Sequence, residues 1–212
     1  MSEVTVVMTS FNRFDLLVRT VESFYEHNTY PIREFIIIED SANLVMHNFL
    51  IGYINQSFPC GFTLIFNPVN LGAYESIDIA YSRIKTPYVF HLEDDWGFHS
   101  GEFIEPALTV LKSDPSIMQV DFTNDECIEL GPLLNTDGVD YRIMGDDVNH
   151  FWHGFTCRPN LRTMESYNKI KPYTQWSNQS DFLALREQKV GQRYYELGYK
   201  SAVVSKFYAN HI

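Results

Sequence analysis

Glu93, Asp94 and Asp95 stand consecutively in Tyr88–Trp96 (YVFHLEDDW), where a short β-branched and aromatic run breaks off into acids. A buried strand with such an end delivers its acids to the edge of a sheet, where open α/β sheets bind their ligands. Alternation along the strand predicts Glu93 and Asp95 on one side and Asp94 on the other. Three adjacent negative charges in a partly dehydrated crevice repel, and the remedies are protonation, a basic partner or a metal ion. Few basic residues lie close by in sequence, so the expected remedy is a hard divalent cation, Mg²⁺ or Mn²⁺. Such an ion takes one or two carboxylates and completes its shell with phosphate oxygens and water. The competing reading is a solvated acidic turn after an edge strand.

The elements that must position these acids follow from periodicity. Val4 to Met8 is an apolar run that gives way to Thr9-Ser10-Phe11-Asn12, a strand then a polar loop. Leu16, Leu17, Thr20, Val21 and Phe24 then recur at helical spacing. Glu34 to Glu39 reads as a second strand ending in Glu39-Asp40, with a weaker helix from Asn43 to about Phe58. Phe62 to Phe66 is a third strand, followed by a turn over Asn67–Gly72 and a helix through Tyr74, Ile77, Tyr81 and Ile84. Strand and helix thus alternate four times within the first ~95 residues, the pattern of βαβ units with a largely parallel sheet. Thr9, Asp40, Asn70, Asp94 and Asp95 all fall at strand C-terminal ends, so one crevice can gather them.

The second half is less regular. A helix is predicted over Phe103–Leu111, a strand over Ile117–Phe122, loops with one hairpin over 124–149, and an extended element over Phe151–Cys157. Helices are predicted over Asn160–Ile170 and Asn178–Lys189, and a last strand over Lys200–Val204.

With 212 residues, 45% of them apolar and 20% charged, the chain has the size and composition of a single domain over 1–212. It is equally compatible with a piece of a longer multidomain chain. Lys and Arg number 16 against 27 Asp and Glu, a net charge of −11 that repels DNA and RNA. Cys60, Cys127 and Cys157 are widely spaced without a CxxC pair, as reduced thiols of a cytoplasmic protein would be. A strand begins within a few residues of Met1, leaving no room for a signal peptide, and no apolar run approaches the ~20 residues of a membrane span.

Four stretches carry a resemblance. VTVVMTSFNR, IIIEDSAN, NLGAYESIDIAY and HLEDDW, in this order and spacing, resemble the opening strand and loop, the acidic second strand end, the NxG turn and the DxD-type metal motif of family 2-type glycosyltransferases of the GT-A fold. The likeness is clear over about residues 3–112 and thin afterwards. It implies a Rossmann-like α/β fold and a metal-dependent, inverting transfer of a sugar from a nucleotide-sugar, UDP-linked by expectation, to a hydroxyl acceptor such as a glycan. On this resemblance Thr9 touches the nucleoside, Asp40 accepts the N3–H of uracil, Asp94 bonds the ribose and Asp95 ligates the Mn²⁺ or Mg²⁺. Asp78 stands with Ile77 where the family often has an Arg-Asn pair; it is a candidate for the nucleoside, or plain helix surface. Glu39 and Glu93 are expected to support rather than bind.

Inverting transfer needs a base for the acceptor hydroxyl. Asp181 is the expected base, opening a late helix whose dipole would keep it ionised; Asp146 and Asp147 are the other acidic candidates. His153 and Arg158, flanking FWHGFTCRP, which resembles the acceptor-side wall, bind diphosphate or acceptor, with a structural role the competing reading for His153; Trp152, Trp176 and Tyr173 stack on sugar or pack the core. A sugar-nucleotide pyrophosphorylase is a rival, although TSFNRFD lacks the Gly-rich basic loop that a triphosphate needs. A non-catalytic nucleotide- or glycan-binding module is another.

Overall fold

Val4–Ser10 (β1), Glu34–Glu39 (β2), Gly61–Phe66 (β3) and Tyr88–Glu93 (β4) lie parallel, as the alternation of strands and helices leads one to expect, and stand in the order β3-β2-β1-β4. The computed structural model describes residues 2–54, 61–123, 129–145 and 152–212. Beyond β4 the nine-stranded sheet becomes mixed. Asn160–Thr163 (β9) runs antiparallel between β4 and Ile117–Asp121 (β6). Lys200–Val204 (β10) pairs parallel with β6, and the hairpin Leu134–Thr136 (β7) and Val139–Met144 (β8) closes the far edge.

Alternation along β1 divides the core. Val4, Val6 and Met8 join one apolar cluster and Val7 the other. Phe14–His27 (α1), Leu44–Ile54 (α2) and Ile104–Ser113 (α4) cover the first face; Ala73–Tyr81 (α3), Met164–Ile170 (α5) and Leu183–Glu196 (α6) cover the second. Phe24 of α1 anchors the first face, its ring meeting those of Phe35, Phe90, Phe98 and Phe103 at 5.3–5.7 Å.

The second half departs from its periodic reading. Asn160–Ile170 is not one helix: its first four residues form β9, and the helix starts at Met164 behind a Thr163 cap that accepts from the Ser166 N–H. Leu161 enters one core while Arg162, wholly buried, donates to Tyr173 Oη (2.8 Å) and Thr156 O (2.9 Å) and lies over the Phe155 ring. A buried arginine at a strand position defeats a helical reading of this stretch. Residues 152–157 contain no strand, and Phe151 lies outside the described residues. The late helix begins at Leu183, not Asn178, so Asp181 precedes it. Trp96–Phe98 (β5) and Ala209–His211 (β11) form a two-stranded ribbon that periodicity did not predict. The end of the predicted second helix, Cys60, Cys127, Asp146 and Asp147 also lie outside the described residues.

Candidate active site

The acids of the fourth strand end do not alternate. β4 stops at Glu93, and Asp94 and Asp95 form the turn into β5, so strand geometry no longer applies to them. Thr20 of α1 fixes the turn: its hydroxyl donates to Asp94 O (3.0 Å) and accepts from Trp96 N (3.1 Å). From the other side the Ile212 N–H donates to Asp95 O (3.0 Å).

A basic partner is present after all. Arg13 donates from Nε to Asp94 Oδ2 (3.3 Å), from Nη2 to Asp94 Oδ1, and from Nη1 to Asp95 Oδ2 (2.7 Å). It lies 81 and 82 residues from its partners, which is why proximity in sequence hid it. Burial pushes the Asp94 carboxyl upward, and Arg13 opposes that shift. Phe11 N also donates to Asp94 (3.3 Å).

A cavity of about 290 Å³ opens beside this cluster, lined by Thr9, Arg13, Asp40, Gly72, Ser76 and Glu93 among others. Its back wall is built by Asp40. Oδ1 accepts from Asn67 Nδ2 (2.7 Å) and Leu71 N (2.9 Å), and Oδ2 from Gly72 N (2.8 Å). Glu39 does the same for the first loop, Oε1 accepting from Asn12 N and Ser41 N, each at 3.0 Å. Gly72 has φ +97°, and a Cβ there would stand 3.0 Å from Glu75 Oε2. Gly72→Ala is therefore expected to lower stability by about 1–3 kcal/mol, read as a lower denaturant midpoint at unchanged m-value.

Asp78 does not line this cavity. Its carboxylate accepts from Tyr167 Oη, Tyr173 N, Thr174 N and Thr174 Oγ1, tying α3 to the segment after α5. Asp181 likewise has its own partners, Lys189 Nζ at 2.6 Å and Asn178 N at 2.9 Å, and the Lys189 hydrogen bond draws its pKa down.

Another acid reaches the strand ends. Glu187, one turn into α6, accepts from Cys157 N (2.7 Å) and lies near enough to Glu93 and Asp121 for their charges to act on one another. Burial pushes the Glu187 carboxyl up, against the pull of the Cys157 N–H and Arg158. Glu93 is pushed up to about 7 by burial and by Asp95, against a Trp96 Nε1 hydrogen bond. The sequence reading began the helix five residues early and took the acid nearest its start, so Glu187 was not among its candidates. His153 stacks on Tyr195 and meets Gln192; Tyr173 is wholly buried, and Trp176 lies under Arg193.

A metal ion fits here only as a shared ligand. Among the described residues no three His, Cys, Asp or Glu side chains converge to hold one. Asp95 Oδ1 is nevertheless buried without a hydrogen-bond partner, and His211 Nδ1 lies 3.9 Å from Asp95 Oδ2. A carboxylate and an imidazole suit Mn²⁺, with oxygens of a second ligand and water completing the shell.

Comparison with known proteins bears on the fold. No curated protein sequence matches the chain. The fold is shared with the mannosyltransferase PcManGT from Pyrobaculum calidifontis in complex with GDP-Man and Mn²⁺, at TM-score 0.69 and 13% identity over 94% of this chain and 53% of that one. It is shared with GalNAc-T7 bound to UDP, GalNAc and Mn²⁺, at 0.72 and 14% over 99% and 43%. S. aureus TarS 1-349 matches at 0.65 and 10% over 99% and 60%. The chain thus spans about half the length of the structures it resembles. No helix among the described residues is long and apolar enough to cross a membrane. The model of glycosyl transferase family 2 matches residues 5–189, and the chain, with its GT-A fold, belongs to that family.

Proposed function

We propose that this domain transfers a sugar from a nucleoside diphosphate sugar to a hydroxyl of a glycan or similar acceptor, with inversion. The observation that carries this reading is the junction at Glu93 and Arg13: both line the 290 Å³ cavity, Arg13 binds the Asp94-Asp95 turn, and Glu93 lies within electrostatic range of Glu187.

Uridine is the preferred base. A carboxylate has about four acceptor positions. Asp40 uses three on the turn between β3 and α3, which leaves one on Oδ2 beside the cavity. One acceptor suits the single N3–H of uracil better than the adjacent donors of guanine. Thr9 lies on the same wall, and Asp94, buried with its carboxylate held by Arg13, is assigned to the ribose.

Asp95 and His211 would hold the divalent ion, whose contribution when bound is to neutralise charge on the departing diphosphate. The base is Glu187 rather than Asp181. A base works best when its pKa approaches the working pH. Glu187 is shifted toward that range by burial, whereas Asp181 is shifted away by Lys189. In the transition state Glu187 takes the acceptor proton while the bond from the anomeric carbon to the diphosphate oxygen breaks on the opposite face.

The test is a panel of UDP-, GDP- and dTDP-sugars incubated with Mn²⁺ and simple glycoside acceptors, reading nucleotide release and product anomeric configuration. UDP release with an inverted product is the expected result. Binding without release would make the domain a non-catalytic module, and a retained configuration would overturn the role of Glu187.

A further inference from the structure

Arg13 is paired with two acids of unequal freedom. The Asp94 side chain is fully buried and that of Asp95 11% exposed, whereas the Arg13 side chain is 46% exposed. The acids are also held through their backbone by Thr20 and the Ile212 N–H. Arg13 precedes α1 with no side-chain cap bond and reaches the acids on a flexible stem. The fixed partners are therefore the carboxylates, and the movable one is the guanidinium.

We infer that Arg13 is a built-in counter-ion of the Asp94-Asp95 pair that a divalent ion displaces and a diphosphate recaptures, making metal and nucleotide binding cooperative through one side chain. The inference rests on the site reading above and adds its regulation. A cation at Asp95 shares a carboxylate with Arg13, and two positive charges so close repel. Metal alone therefore binds against this side chain. Arg13 also lines the cavity, so a diphosphate entering it offers the released guanidinium new bidentate acceptors. By linkage, the factor by which diphosphate tightens metal binding equals the factor by which metal tightens diphosphate binding. An idle site has one of its two negative charges offset by its own residue, and the metal is captured chiefly with the donor.

The experiment is titration of free Mn²⁺, followed by its electron paramagnetic resonance signal, into the parent chain, Arg13→Gln and Arg13→Lys, each with and without saturating UDP. Arg13→Gln is expected to bind Mn²⁺ alone about tenfold more tightly than the parent and to lose about tenfold of the tightening that UDP provides. Arg13→Lys keeps the charge without the fork and is expected to fall between; it decides the matter should the glutamine variant fail to show a normal melting transition. Arg13→Gln binding Mn²⁺ alone no more tightly than the parent would overturn the inference. A gain in metal affinity with UDP coupling unchanged would also overturn it, because the arginine would then be a distant charge and not an exchanged ligand. Absence of Mn²⁺ binding to the parent even with UDP would remove the metal reading itself, a result separable from the other two.

Discussion

Glutamine in place of Glu187 is expected to lower kcat by about 10²–10⁴ while donor affinity stays near that of the parent, the signature of a lost general base. The substitution is nearly isosteric, and the amide oxygen can still accept from the Cys157 N–H that holds the carboxylate now. A large loss would therefore report proton transfer and not a displaced helix. The pH profile adds a second readout. Glu187 must be ionised to act, and burial raises its folded pKa, so kcat should fall as pH drops through a value above that of an ordinary glutamate. Glu187→Gln should lack that acidic limb. Asp181→Asn is the matched comparison, because Asp181 is tied to Lys189 and Asn178. Turnover near the parent level is expected of it; the opposite ranking would return the base to Asp181.

Asp95→Asn is expected to remove the divalent-ion dependence of nucleotide binding and to cut turnover by about 10²–10³, the scale of losing one preorganised electrostatic stabiliser. UDP affinity measured with Mn²⁺ and with EDTA should differ in the parent and coincide, both weak, in the variant. The fold should survive. Asp94 keeps its bonds to Arg13 and Phe11, and the turn keeps its backbone bonds to Thr20 and Ile212. A variant that retained the Mn²⁺ effect would move the ion away from Asp95 and His211.

The parallel half of the sheet was legible because its order is local. In β1 to β4 each apolar run is one strand, buried on both faces in β1, β2 and β4 and less so at the edge strand β3; β1, β2 and β3 lie side by side in chain order, and β4 returns to the free side of β1. Thr9, Asp40 and the Asp94-Asp95 pair sit at strand ends that such an arrangement must bring to one edge, and Thr9 and Asp40 do line one cavity. The antiparallel β9 was not legible. Leu161, Met164 and Tyr167 satisfy a helical spacing, and only the flanking β4 and β6 make a strand of Asn160–Thr163.

The residue types and their order alone determined the α/β class, the parallel half and the acids at its strand ends, because periodicity and chain direction suffice for those. Tertiary structure alone decided which charged groups come near these acids. Arg13 meets Asp94 across 81 residues, His211 comes near Asp95 through the β5–β11 ribbon, and Glu187 of α6 comes within electrostatic range of Glu93. Electrostatic partnership depends on distance in space, and a sequence records only distance along the chain.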